Sequence, residues 1–71
     1  MRRFRHLLTE EEERRLLDLI EEHLTSQERE AFRAVRRGEI PFERLTPRLR
    51  DRIRSLAATL IRAVLQERRA K

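Results

Sequence analysis

A chain of 71 residues has room for one small domain, and burying a core of that size removes only a modest share of its surface from water. Charged residues make up 44% of it and aromatics 4%, all phenylalanine; with no cysteine, disulfide frameworks and thiolate metal sites are excluded. The net charge of +5 is unevenly spread, with residues 1–8 and 25–71 basic and residues 9–24 acidic, which points to a polyanionic partner or to acidic and basic faces that meet.

Residues 1–8 (MRRFRHLL) form a basic arm ahead of a single helical domain over 9–71. The basic start resembles that of a signal peptide, but two leucines are too few for its apolar segment. The most apolar run, 56–65, is about half of a bilayer span and contains Arg62, so no membrane role is expected. A soluble, cytoplasmic protein is the expectation.

The first helix is expected over 10–24. Thr9 and Glu12 have the spacing of a capping box, and Glu10 to Glu13 sit where the helix dipole favours anions. Leu16, Leu17, Ile20 and Leu24 share a face, and Glu10–Arg14 and Glu11–Arg15 are spaced for ion pairs on the other. The second helix is expected over 26–37, with a second capping box at Thr25 and Glu28 and with Gly38 as a left-handed stop. Its inward residues are Ala31, Phe32 and Val35; Arg29, Arg33, Arg36 and Arg37 form a basic stripe. The connector, 39–45, has Pro41 opening one short helical turn, with Ile40, Phe42 and Leu45 as lids on the core.

The third helix is expected over 47–69, opened by Thr46 as cap and Pro47 as first residue. Leu49, Ile53, Leu56, Leu60 and Val64 make one inward stripe. A second stripe changes from Arg50 and Arg54 to Ala57, Ile61 and Leu65, so its apolar half, Ala57, Ile61 and Leu65, is the expected homodimer seam. Each helix is preceded by Leu-Thr, at 8–9, 24–25 and 45–46: the threonine caps and the leucine packs back. The expected fold is therefore all-α, a small bundle of three main helices plus one short connecting helical turn. Its core is Leu16, Leu17, Ile20, Leu24, Phe32, Val35, Leu49, Ile53, Leu56, Leu60 and Val64.

Catalytic chemistry finds no support. His6 and His23 have no metal-ligand spacing around them, Ser26 and Ser55 have no base in sequence, and one glycine cannot make a phosphate-binding loop. No enzyme, cofactor, metal site or small-molecule substrate is expected. The arginines remain: they are seventeen of the eighteen bases, and a guanidinium suits bidentate phosphate contacts better than an ammonium. Helix starts favour acids, yet Arg48, Arg50, Arg52 and Arg54 crowd the front of the third helix. Duplex DNA, held through its backbone, is the expected partner. Arg48, Arg50, Arg52 and Arg54 would carry the phosphate contacts, and Arg33, Arg36 and Arg37 would support them. With no Tyr or Trp there is little for single strands to stack on.

The stretch LTSQEREAFRAVRRGE (24–39) resembles the opening helix of helix-turn-helix domains in quorum-sensing-type regulators and sigma factor region four. The resemblance rests on Leu24, Thr25, Glu28, Arg29, Glu30, Phe32 and Gly38. It implies a DNA-binding module with TPRLRDRIR in the recognition position, where such a helix meets the major groove near its N-terminus. The agreement between caps, dipole charges and stops, with Asn, Tyr, Trp and Cys all missing, is also similar to de novo designed helical proteins. On that alternative the chain is a structural bundle, self-associating through its last helix, with no nucleic-acid role.

Overall fold

The computed structural model describes residues 8–70. Of the basic arm only Leu8 is among them, and His6 lies outside the described residues. Three helices follow in chain order, α1 (Glu10–Glu22), α2 (Ser26–Arg36) and α3 (Pro47–Ala70), with a 3-10 turn at Phe42–Arg44 before α3. Among the described residues there is no strand, so the fold is a small all-α bundle.

Local chemistry accounts for the helix starts. The Thr9 hydroxyl accepts from the Glu12 amide at 3.1 Å, and the Glu12 carboxylate accepts from the Thr9 amide at 2.9 Å. Thr25 and Glu28 repeat this at 3.3 and 2.9 Å. Thr46 caps α3 through one bond only, from the Leu49 amide at 3.2 Å, because the residue three beyond the cap is a leucine that cannot reach back.

The helix ends differ. α2 closes in a Schellman motif: the Glu39 amide donates to the Ala34 carbonyl at 2.9 Å and the Gly38 amide to the Val35 carbonyl at 3.0 Å. Gly38 has φ +78° and open space around it, so glycine is favoured there by the backbone angle and not by crowding. α1 stops at Glu22, two residues short of the sequence expectation, and has no base in its last turn. Its terminal carbonyls are met locally, Ile20 by the His23 amide at 3.0 Å and Glu21 by the Leu24 amide at 3.1 Å, and also from other helices. Arg29 of α2 donates to the carbonyls of Glu21 at 3.1 Å and Leu24 at 3.2 Å, and Arg52 of α3 donates to that of His23 at 3.1 Å. Two of the chain's arginines are thus used as a C-terminal cap.

α1 packs along α3. Leu16, Ile20, Phe32, Ile53 and Val64 are the most deeply buried large side chains, joined by Leu49 and by the three leucines of the Leu-Thr pairs: Leu8 (5% exposed), Leu24 (4%) and Leu45 (6%). Those leucines do more than pack on the first turn of their own helices. The residues a staple would use, Glu13, Arg29 and Arg50, are charged, and the leucines enter the common core instead. The inward stripe of α3 also differs from expectation. Ala57, placed on the dimer seam, is 4% exposed and belongs to the core, whereas Leu56 and Leu60 are half-buried. A small side chain lets a neighbouring helix approach closely, so the buried line runs through alanine and leaves the leucines on its flank. Leu17 and Val35 are half-buried at the core's margin.

Candidate nucleic-acid interface

The seven arginines singled out by sequence fall into two groups. Those on α2 face acids. Arg33 donates through Nε to the Glu21 carboxylate at 2.8 Å, and Arg36 donates to Asp18 at 2.9 Å and to the second oxygen of Glu21. Arg37 grips Glu39 through two bonds, at 2.7 and 3.1 Å. Glu21 is the centre of this corner, with only 13% of its side chain exposed. Partial burial pushes its pKa up, but hydrogen bonds from Arg33 and Arg36 outweigh that and hold it below the usual range. Two arginines of the α2 stripe, Arg33 and Arg36, are thus paired by α1, Arg37 just past the helix is paired by Glu39, and the expected supporting role of Arg33, Arg36 and Arg37 in phosphate contact meets carboxylates already in place.

The front of α3 differs. Its first turn has no acid, unlike those of α1 and α2. Arg52 is committed to the fold: besides capping α1, it lies 3.4 Å from the Glu28 carboxylate. Glu28 is held below its usual pKa first by the Thr25 amide and then, against partial desolvation, by the nearby charges of Arg52 and Arg48. Arg54 lies over the Phe42 ring, 5.5 Å from its centroid, and is 3.8 Å from Asp51, a long contact at an exposed carboxylate. Among the described residues, Arg48 and Arg50 have no ion pair, and Nε of Arg50 is buried without a hydrogen-bond partner.

Arg44, in the 3-10 turn, is exposed and also has no ion pair among the described residues. The sequence pattern marks the connector by its apolar lids and not by this residue; its place two residues before Thr46 is the one local signal. Arg44, Arg48, Arg50 and Arg54 thus lie on or just before the first two turns of α3, whose first turn carries no acid.

Toward the opposite end of α3 two ion pairs tie it to α1. Arg68 donates to Glu12 at 2.6 Å and Arg15 donates to Glu67 at 3.2 Å. The Arg68 guanidinium, with help from the Thr9 amide, lowers the Glu12 pKa to about 2. Arg15, expected to pair with Glu11 on its own helix, is drawn to α3 instead. His23 is exposed at the end of α1, its Nδ1 2.9 Å from the Leu19 carbonyl. Among the described residues no three His, Cys, Asp or Glu side chains are grouped to hold a metal, and no helix is long and apolar enough to cross a membrane.

Compared with protein-family models, curated proteins and solved structures, the chain matches none.

Proposed function

We propose that this chain is a non-enzymatic module that binds duplex DNA through arginine–phosphate contacts at the front of α3, in a cytoplasmic setting. One observation carries the reading: α3 starts without an acid, and Arg48 and Arg50 there have no carboxylate partner among the described residues. Phosphate oxygens would meet the guanidiniums of Arg44, Arg48, Arg50 and Arg54 together with the positive end of the helix. The helix-turn-helix likeness of residues 24–39 agrees with this placement, since α3 then stands where a recognition helix would.

Binding by these four arginines has a measurable signature. Each phosphate neutralised releases counterions, so the logarithm of the association constant should fall with the logarithm of salt with a slope of about −3.6. Contact by all seven of Arg33, Arg36, Arg37, Arg48, Arg50, Arg52 and Arg54 would give a slope of about −6. Fluorescence anisotropy with a labelled duplex at several salt concentrations separates the two. Arg50→Glu with Arg54→Glu should abolish binding while circular dichroism stays unchanged. Absence of duplex binding at low ionic strength, or binding indifferent to salt, removes the proposal.

A second reading is favoured by the pairing of Arg33, Arg36 and Arg37 with Glu21, Asp18 and Glu39. On it the chain is a self-contained bundle, natural or designed, whose charges serve its own fold. It requires that duplex DNA is not retained even at low salt.

A further inference from the structure

Between Pro47 and Gln66, α3 carries a single acid, Asp51, and it stands among the arginines proposed to hold phosphate. Asp51 lies about 160° around the helix from the buried Ile53, so it projects almost straight away from the core. Its side chain is 78% exposed. Arg48 and Arg54, three residues before and after it, stand about 60° to either side, and both are exposed. Along the same outward strip follow Ser55 and Ala58, which are small and exposed.

The fold gives little reason for this carboxylate. Its ion pair with Arg54 is long, at 3.8 Å, and open to solvent, so it adds little stability. It also lies beyond the first turn, where an acid would answer the helix dipole. In the middle of a phosphate-binding face a carboxylate opposes binding, unless it meets a hydrogen-bond donor of its own.

Resting on the duplex-binding reading, we infer that Asp51 reads sequence: its carboxylate accepts a hydrogen bond from the exocyclic amine of a cytosine in the major groove. That groove is about 12 Å wide and admits an α-helix. When α3 enters with this strip foremost, Arg48 and Arg54 point toward the two sugar–phosphate walls and Asp51 toward the floor. Ser55 and Ala58 add no bulk behind it, so the helix can approach the base edges closely. Phosphates repel a carboxylate, and the floor is where donors lie. Only adenine and cytosine offer an amine there. Adenine sets its N7 acceptor beside the amine, whereas cytosine presents a donor alone, and a carboxylate can only accept. The arginines thus supply position and affinity, and Asp51 supplies the choice of base.

The test is selection by the intact chain at low salt from a pool of duplexes with a randomised centre, sequenced before and after. The unaltered chain should enrich a C·G pair at one position by at least about fivefold. Asp51→Ala should still bind and lose that preference. Asp51→Asn should exchange it for A·T at the same position, because a carboxamide both accepts from the adenine amine and donates to N7. Both substitutions fall at an exposed position, so the fold is kept, which circular dichroism checks. Duplex binding without a C·G preference, or tighter binding of Asp51→Ala to every duplex alike, would overturn the inference and leave the phosphate contacts standing. A C·G preference that survives Asp51→Ala would overturn it in favour of another side chain. Failure of the unaltered chain to retain any duplex would overturn the duplex reading itself, and this inference with it.

Discussion

The corner where α2 meets α1 and the front of α3 are made from the same side chain and end in opposite states. In the corner, Arg33 and Arg36 meet Asp18 and Glu21, partly out of water. At the front, Arg48 and Arg50 meet no carboxylate among the described residues. The difference lies in what the facing helix carries. α1 presents acids along the side that α2 covers, whereas at the front of α3 the facing Glu28 of α2 pairs with Arg52 and leaves Arg48 and Arg50 without an ion pair among the described residues. An arginine-rich surface is thus not one surface: half of it belongs to the fold's own electrostatics, and only the remainder can meet a ligand.

The most drastic way to break the comparison is to remove the packing beneath it. Phe32→Ala takes away a fully buried ring of α2 and should cost about 3–5 kcal/mol, comparable to the whole stability of a domain this small. Thermal unfolding followed by circular dichroism should show a chain largely unfolded at room temperature.

Binding sharpens the contrast. Arg50→Gln with Arg54→Gln should flatten the salt slope for duplex binding by about 1.8, two phosphates' worth, whereas Arg33→Gln with Arg36→Gln should leave the slope unchanged. Equal effects from the two double variants would erase the distinction between corner and front.

Freeing the corner should convert it toward the front. Glu21→Gln leaves Arg33 and Arg36 without their shared carboxylate and should cost roughly 1–2 kcal/mol, discounted because Arg33 is half exposed. The same change should raise duplex affinity and steepen the salt slope by about 0.9, since Arg33 is released while Arg36 keeps Asp18. Chemical denaturation and anisotropy on the same protein measure both.

Acid should act through the carboxylates that the fold holds below their ordinary range. Glu12, Glu21, Glu28 and Glu39 are all held below their ordinary range in the fold. A depressed carboxylate contributes stability that is present above its unfolded value of about 4.5 and lost as pH falls through its folded value, which for Glu12 is about 2. Stability should be flat from neutrality to about pH 5 and then decline toward pH 2, and Glu12→Gln should flatten the lowest part of that decline. The smallest effect concerns the caps: Thr25→Ala, which breaks a reciprocal pair of bonds, should cost about 1 kcal/mol, and Thr46→Ala, which breaks one, somewhat less.

The sequence made the helices legible because their signals are local. Threonine caps with a glutamate three residues on, a proline at a first turn and a glycine stop each act within a few residues, and they place the helix starts at Glu10, Ser26 and Pro47. The end of α1 was less legible, since its carbonyls are met by Arg29 and Arg52 from other helices. Periodicity gave the buried side of α3 but missed its centre line, because a hydrophobic pattern weights leucine over alanine while close helix packing can prefer the smaller side chain at Ala57. The division among the arginines could not be read at all. Arg33 and Glu21 are twelve residues apart and Arg36 and Asp18 eighteen, on different helices, so their meeting depends on how α1 and α2 cross.

The 24 residues of α3 give it a length of about 36 Å, close to the 35 Å long dimension of the described residues. The helix is in effect a ruler laid along the fold. Inserting one turn between Ala57 and Val64 would carry Arg68 about 5 Å along the axis away from Glu12, so that clamp would open while the arginines at the other end kept their places.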